Sequence, residues 1–251
     1  MASNDDKRQR QQRAEAMRKE RESAARRRRN GITVAIVVVV LALIVAAGFS
    51  IKYYTDQNNA PAAVPTGLTD DNGVVFDQET STGESAAGAD PISVVLYEDF
   101  QCPACKALFD VQSAYIKEQV DNGTISVEYR PIAILDRASD GYSTRASAAS
   151  VCVAEDAGAK AFYEFHNLLY ANQPPEGGTG LPEDQVVSYA EEVGADAAAA
   201  CIEDGTYEKW AEEATSAASV DGISGTPTVL VDGKLVENPT AELETAVAAA
   251  G

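Results

Sequence analysis

Pro91-Ile92-Ser93-Val94-Val95-Leu96-Tyr97 is apolar and β-branched almost throughout, the pattern of a strand buried on both faces. Glu98-Asp99-Phe100-Gln101 is a short connection, and Cys102-Pro103-Ala104-Cys105 opens the next element. Pro103 suits the first position of a helix, where its missing N–H costs nothing. Leu108, Val111 and Tyr115 then recur at helical spacing. The Cys-x-x-Cys therefore sits at a strand-to-helix junction, with Cys102 at the helix N-terminus.

That placement has chemical consequences. The free amides and positive end of a helix stabilise a thiolate. They lower the Cys102 pKa below the roughly 8.5 of a free thiol and make it the attacking or leaving sulfur. Cys105, one turn deeper, is expected to be shielded and to resolve a mixed disulfide. Glu98 and Asp99 oppose the thiolate, Lys106 partly offsets them, and the helix amides are expected to win because they donate directly to the sulfur. Two other readings use the same residues. A structural bridge across two intervening residues gains little from loop closure. A zinc site needs two more ligands, and Cys152 and Cys201 lack a Cys-x-x-Cys spacing.

A second signal is Gly225-Thr226-Pro227-Thr228, followed by Val229-Leu230-Val231-Asp232-Gly233-Lys234-Leu235-Val236. The latter reads as a hairpin with an Asp-Gly turn of the type I′ preference. A Pro before a strand is ordinary alone, but here it accompanies the Cys-x-x-Cys.

Three stretches carry a resemblance: Tyr97 to Cys105, Phe162-Tyr163-Glu164-Phe165-His166-Asn167-Leu168-Leu169-Tyr170, and Gly222-Ile223-Ser224-Gly225-Thr226-Pro227-Thr228. In this order they resemble the DsbA-type thiol-disulfide oxidoreductases, above all the membrane-anchored extracytoplasmic members of Gram-positive bacteria. The resemblance covers roughly residues 73–250. It implies an α/β thioredoxin-like fold with a helical insertion. It makes Cys102 the nucleophile, Cys105 the resolving thiol and Pro227 a cis-proline facing them. Thr226 becomes the residue whose backbone pairs with a substrate strand, a capture that does not read sequence. No cofactor is implied. Ala104 stands where many oxidase members have His and supplies no donor to the thiolate, so the disulfide is expected to be less oxidising than theirs. No carboxylate lies six residues before Cys102, where Leu96 sits. Asp99 is the nearer candidate for a proton relay.

Residues 142–220 read as the helical insertion, Ala- and Glu-rich with apolar stripes over 146–154, 160–170, 183–193, 195–202 and 207–218. Four cysteines allow three pairings. With Cys102 and Cys105 local, Cys152 is left with Cys201, and two buried free thiols are the alternative. Closing a loop of that length adds on the order of 4 kcal/mol in the entropic account. His166, beside Phe162, Phe165 and Leu169, reads as a helix-packing residue. Trp210 with Tyr207 reads as packing, and Asn122-Gly123-Thr124 as a turn.

Outside this region the 251 residues divide by charge. Lys+Arg is 20 against Asp+Glu 39, a net −19, which excludes nucleic-acid binding. A single His excludes a multi-histidine metal site. Residues 1–30 form a basic arm ending in Arg26-Arg27-Arg28-Arg29, and residues 31–51 carry no charge. That run is long enough for the roughly 30 Å hydrocarbon core, and it exceeds the 7–15 residues of a signal-peptide core. The positive-inside bias puts the arm in the cytoplasm and the rest outside. Residues 52–72 are expected as a linker and 73–251 as the folded domain, with Gly73-Val74-Val75-Phe76 a first edge strand.

These readings converge on a membrane-tethered, extracytoplasmic oxidoreductase that introduces disulfides into unfolded exported proteins. A membrane quinone-linked thiol oxidase is its expected recycling partner. Alternatives are a reductase or isomerase of the same fold, or a redox-inert domain that binds a partner or Cu(I) through Cys102 and Cys105.

Overall fold

The computed structural model describes residues 17, 19, 39–50, 52, 61–84 and 90–250. The chain divides into two units, Met1–Pro61 and Ala62–Gly251. In the first, residues 39–50 are helical and exposed. The rest of the expected 31–51 span, and most of the basic arm, lie outside the described residues. Among the described residues no helix is long and apolar enough to cross a membrane.

In the second unit the apolar run becomes β2 (Ile92–Glu98), the centre of a five-stranded sheet. Strands β1 (Val74–Phe76), β3 (Ile125–Pro131), β4 (Thr228–Val231) and β5 (Lys234–Leu235) complete it in the order β1-β3-β2-β4-β5. β2 and β3 are parallel, and such a pair needs a crossover, here helix α2 (Pro103–Asp121). A short α1 (Gln78–Thr82) precedes β2. Asp77 and Thr80 form a capping box at its start, and Gly83 closes it in the left-handed region. Strand β4 is antiparallel to β2, with Leu96 opposite Val229 and Tyr97 opposite Thr228. The chain leaving β2 toward Cys102 therefore runs beside the chain entering β4 from Pro227. Asp232 and Gly233 both have positive φ, the requirement of a type I′ hairpin, between β4 and β5.

Between β3 and β4 lie α3 (Tyr142–Ala171), α4 (Glu183–Glu192), α5 (Ala198–Glu203) and α6 (Glu208–Val220). α3 is interrupted at Gly158, whose φ of 82° and ψ of −179° are open essentially to glycine alone. Both halves contribute to each of two cores. Val94, Leu96, Val127, Tyr129 and Val229 of the sheet pack with Ile116 and Val120 of α2, Phe162 and Tyr163 of α3, and Leu243 of the C-terminal helix α7 (Pro239–Ala250). A second core inside the insertion gathers Tyr142, Ala146, Ala149, Tyr170, Trp210 and Ala211, and it includes Phe100, Cys102 and Cys105.

The linker expectation for residues 52–72 needs correcting: the compact unit begins at Ala62, not at Gly73. Ala62 and Leu68 pack on the cores. Thr66 N and Oγ1 donate to Glu155 Oε1 at 3.1 and 3.0 Å, Thr69 Oγ1 donates to Glu128, and Trp210 Nε1 donates to Asn72 Oδ1 at 3.0 Å. Arg130 reaches Asp71 at 2.9 Å. A polar, Pro-rich segment can be held this way by groups far along the chain, which local composition does not reveal.

Candidate active site

Cys102 is the N-cap residue of α2, Pro103 follows at the first helical position, and both thiols are free. Pro103 and Ala104 face outward, whereas Cys105 is buried beneath them. The Thr226–Pro227 bond is cis. It brings the Thr226 carbonyl oxygen within 3.3 Å of the Cys102 sulfur. The structure thus brings together Cys102, Cys105, Thr226 and Pro227, which are 124 residues apart at Cys102 and Thr226.

The two sulfurs titrate in opposite directions. The Cys105 thiol donates to the Cys102 sulfur and is the largest cause of a Cys102 pKa lowered to about 6. Burial opposes this, while the Thr226 side chain and the amides of Cys105 and Ala104 assist. A thiol proton directed at the Thr226 carbonyl favours the neutral form, but these donors outweigh it. The Cys105 pKa is raised, first by burial and then by the hydrogen bond to Cys102. Lys106 pairs with Asp110 on its own helix rather than with the sulfur.

Asp99 is fully buried, and its carboxylate is held by neighbours rather than pointed at the dithiol. It accepts from Gln101 N at 2.9 Å, Leu135 N at 2.9 Å and Ser143 Oγ at 2.8 Å. Burial raises its pKa against those hydrogen bonds. In this geometry it fixes the turn before Cys102. Two further residues brace the same turn and had no sequence signal. Gln101 Nε2 donates to the carbonyls of Pro175 and Gly178, and Gln173 Nε2 donates to those of Phe100 and Cys102.

His166 packs within the core, as its aromatic neighbours indicated, yet it also has a polar partner. Its Nε2 lies 2.5 Å from Glu98 Oε1, and both residues are buried. Phe100, Phe109, Tyr129 and Tyr170 surround the ring. A lone His in an aromatic run, with a carboxylate ending a buried strand, was the available clue. Cys152 of α3 and Cys201 of α5 form a disulfide, with Cα atoms 5.9 Å apart.

Residues 77–248 match the family described as Thioredoxin. Among solved structures, the reduced disulfide bond oxidoreductase DsbG of Mycobacterium tuberculosis is 28% identical with a TM-score of 0.61. The match covers 73% of this chain and 94% of that one. Oxidised DsbA of the same organism is 31% identical with a TM-score of 0.61, covering 71% and 93%. MdbA, a thiol-disulfide oxidoreductase from Corynebacterium diphtheriae, is 26% identical with a TM-score of 0.59, covering 78% and 98%. A curated relative, the serine/threonine-protein kinase PknE of Mycobacterium tuberculosis, is 30% identical over 174 residues. That alignment takes in 65% of this chain but only 30% of the kinase's length. With a helix-capping dithiol set against a cis-proline, the chain belongs to the Thioredoxin family, and its folded part is a disulfide oxidoreductase domain of the DsbA and DsbG kind.

Proposed function

We propose that the protein is a membrane-tethered, extracytoplasmic oxidase of exported polypeptides. The arrangement that supports the direction is Cys102 at the N-cap of α2, with the Cys105 thiol and the amides of Ala104 and Cys105 directed at its sulfur, which holds its pKa down to about 6. A sulfur that ionises so readily is a good leaving group, which stabilises the dithiol and makes the disulfide the oxidising partner. A substrate thiolate attacks Cys102, the Cys102–Cys105 bond breaks, and Cys105 leaves with the electron pair and takes up a proton. A second substrate thiolate then attacks the mixed disulfide at the substrate sulfur and expels Cys102 as thiolate. The substrate loses two electrons and two protons, and the enzyme is left as the dithiol. A membrane quinone-linked thiol oxidase accepts those electrons and restores the disulfide. The exposed edge of the cis-Pro227 loop offers main-chain groups to an extended, unfolded segment. The uncharged run 31–51 behind Arg26–Arg29 supports the tether and the outward-facing domain.

Refolding of a reduced, disulfide-containing protein tests this reading. The wild-type chain is expected to raise the yield of native disulfides and Cys102→Ala to abolish the gain; equal yields overturn it. Ala104 favours a second reading, because it gives the thiolate no side-chain donor. A reduction potential as low as thioredoxin's would select a reductase or isomerase instead.

A further inference from the structure

The turn leading into Cys102 and the loop that follows α3 are fastened to each other from both sides. Gln173 lies just past the end of α3, where its own N–H donates to the Tyr170 carbonyl at 3.2 Å. Its Nε2 donates to Phe100 O at 3.1 Å and to Cys102 O at 2.9 Å. Gln101 reaches in the other direction, with Nε2 3.0 Å from Pro175 O and 3.2 Å from Gly178 O. Each side-chain amide thus places both of its hydrogens on backbone carbonyls of the opposite segment. Tyr170 Oη adds a further donor from α3, 3.2 Å from Asp99 O.

This clasp closes on the residue whose sulfur reacts. The Cys102 carbonyl accepts both Gln173 Nε2 and, at 3.1 Å, the Lys106 N–H, which starts the hydrogen-bond ladder of α2. Its position therefore fixes how the helix begins, and with it where the amides of Ala104 and Cys105 point. Those amides and the Cys105 thiol are directed at the Cys102 sulfur, and such bonds weaken steeply as their angle closes. The nearby charged side chains do not stand in for them: Lys106 is held by Asp110, and Asp99 keeps its carboxylate on three donors. Stability alone does not account for the clasp. Gln101 is fully buried, and its Oε1 has no partner among the described residues. An orphaned buried acceptor destabilises a fold, and an apolar side chain of the same size would not carry one. What the amide provides is a fixed place for the turn.

We propose that Gln101 and Gln173 are positioning residues that clamp the Cys102 turn to the helical insertion and so set how oxidising the Cys102–Cys105 disulfide is. The proposal rests on the exchange chemistry at those two sulfurs. Neither glutamine bonds to a sulfur; each acts through the backbone of the turn. With the clasp closed, the start of α2 is held in the arrangement that favours the Cys102 thiolate, which stabilises the dithiol relative to the disulfide. With the clasp open, the Cys102 carbonyl loses a donor and the turn loosens. The amides then lose their aim at the sulfur, and the disulfide becomes the weaker oxidant.

Gln173→Leu removes both donors and keeps a side chain of similar size. In the reduced full-length chain, the ultraviolet titration of the Cys102 thiolate, referenced to Cys102→Ser, is expected to move up by about one pH unit. In glutathione buffers the equilibrium constant for oxidising glutathione is expected to fall about ten-fold, which is about 30 mV. Gln101→Met is the second variant and is expected to shift both readings the same way; if it does not fold, Gln173→Leu decides alone. Circular dichroism checks that each is folded. Thr66→Val separates position from stability. It loses a hydroxyl bond to Glu155 outside the clasp, and is expected to lower the melting temperature with both readings unchanged. Wild-type readings in folded Gln173→Leu overturn the proposal, and so does an equal shift in Thr66→Val. The titration needs no exchange partner, so a wild-type chain inert toward glutathione sinks the oxidase reading while the titration still decides this one.

Discussion

Cys102 and Cys105 differ by one helical turn, and that turn separates a sulfur fed by donors from a sulfur shut in the core. The folded pKa of Cys102, about 6, lies below that of an unfolded thiol. Its thiolate therefore stabilises the reduced fold fully above the unfolded value, and this stability is lost as pH falls through about 6. Cys105 stays neutral over that window because its pKa is raised. The melting temperature of the reduced form, relative to the oxidised, is expected to fall as pH drops from neutral through that range. Thiolate absorbance, missing from Cys102→Ser, is expected to titrate with the same midpoint. At Asp99 the expectation concerns folding. Asp99→Ala leaves three donors without an acceptor and is expected to cost about 3 kcal/mol in denaturant unfolding. The dithiol was legible because its neighbours in sequence are its neighbours in space. The Leu135 and Ser143 donors to Asp99, the two glutamine braces and the Glu98–His166 contact span tens of residues each, so no local pattern announced them.

At the scale of elements, β2, α2 and the β4–β5 hairpin could be read from periodicity and turn chemistry, since local preference and tertiary placement agree there. α3 was less legible. Its sequence shows two helical stripes, over 146–154 and 160–170, and the structure joins them through Gly158, whose backbone no other residue adopts freely. Gly180 is a sharper constraint: an added Cβ would fall 2.1 Å from the Tyr142 ring, at a φ of +82°. Gly180→Ala is expected to lower the melting temperature and to loosen the loop that holds Gln101. The Cys152–Cys201 bridge closes a separation of 49 residues within the insertion. Cys152→Ala with Cys201→Ala is expected to lose on the order of 4 kcal/mol in unfolding while leaving the Cys102 titration in place.

Across the whole molecule, the folded unit begins a full segment earlier than composition suggested. Residues 62–72 read as a spacer because they hold few apolar side chains, yet Thr66, Thr69, Asp71 and Asn72 reach β3, α3 and α6. A chain starting at Gly73 is expected to unfold at lower temperature than one starting at Pro61, in side-by-side calorimetry. The two sulfurs also rest in the core of the insertion, with Tyr142, Tyr170 and Ala149, rather than in that of the sheet. The cap is thus part of the electrode, not a cover placed over it. Grafting a relative's cap onto this sheet is expected to carry the donor's voltage with it, whatever strands lie underneath.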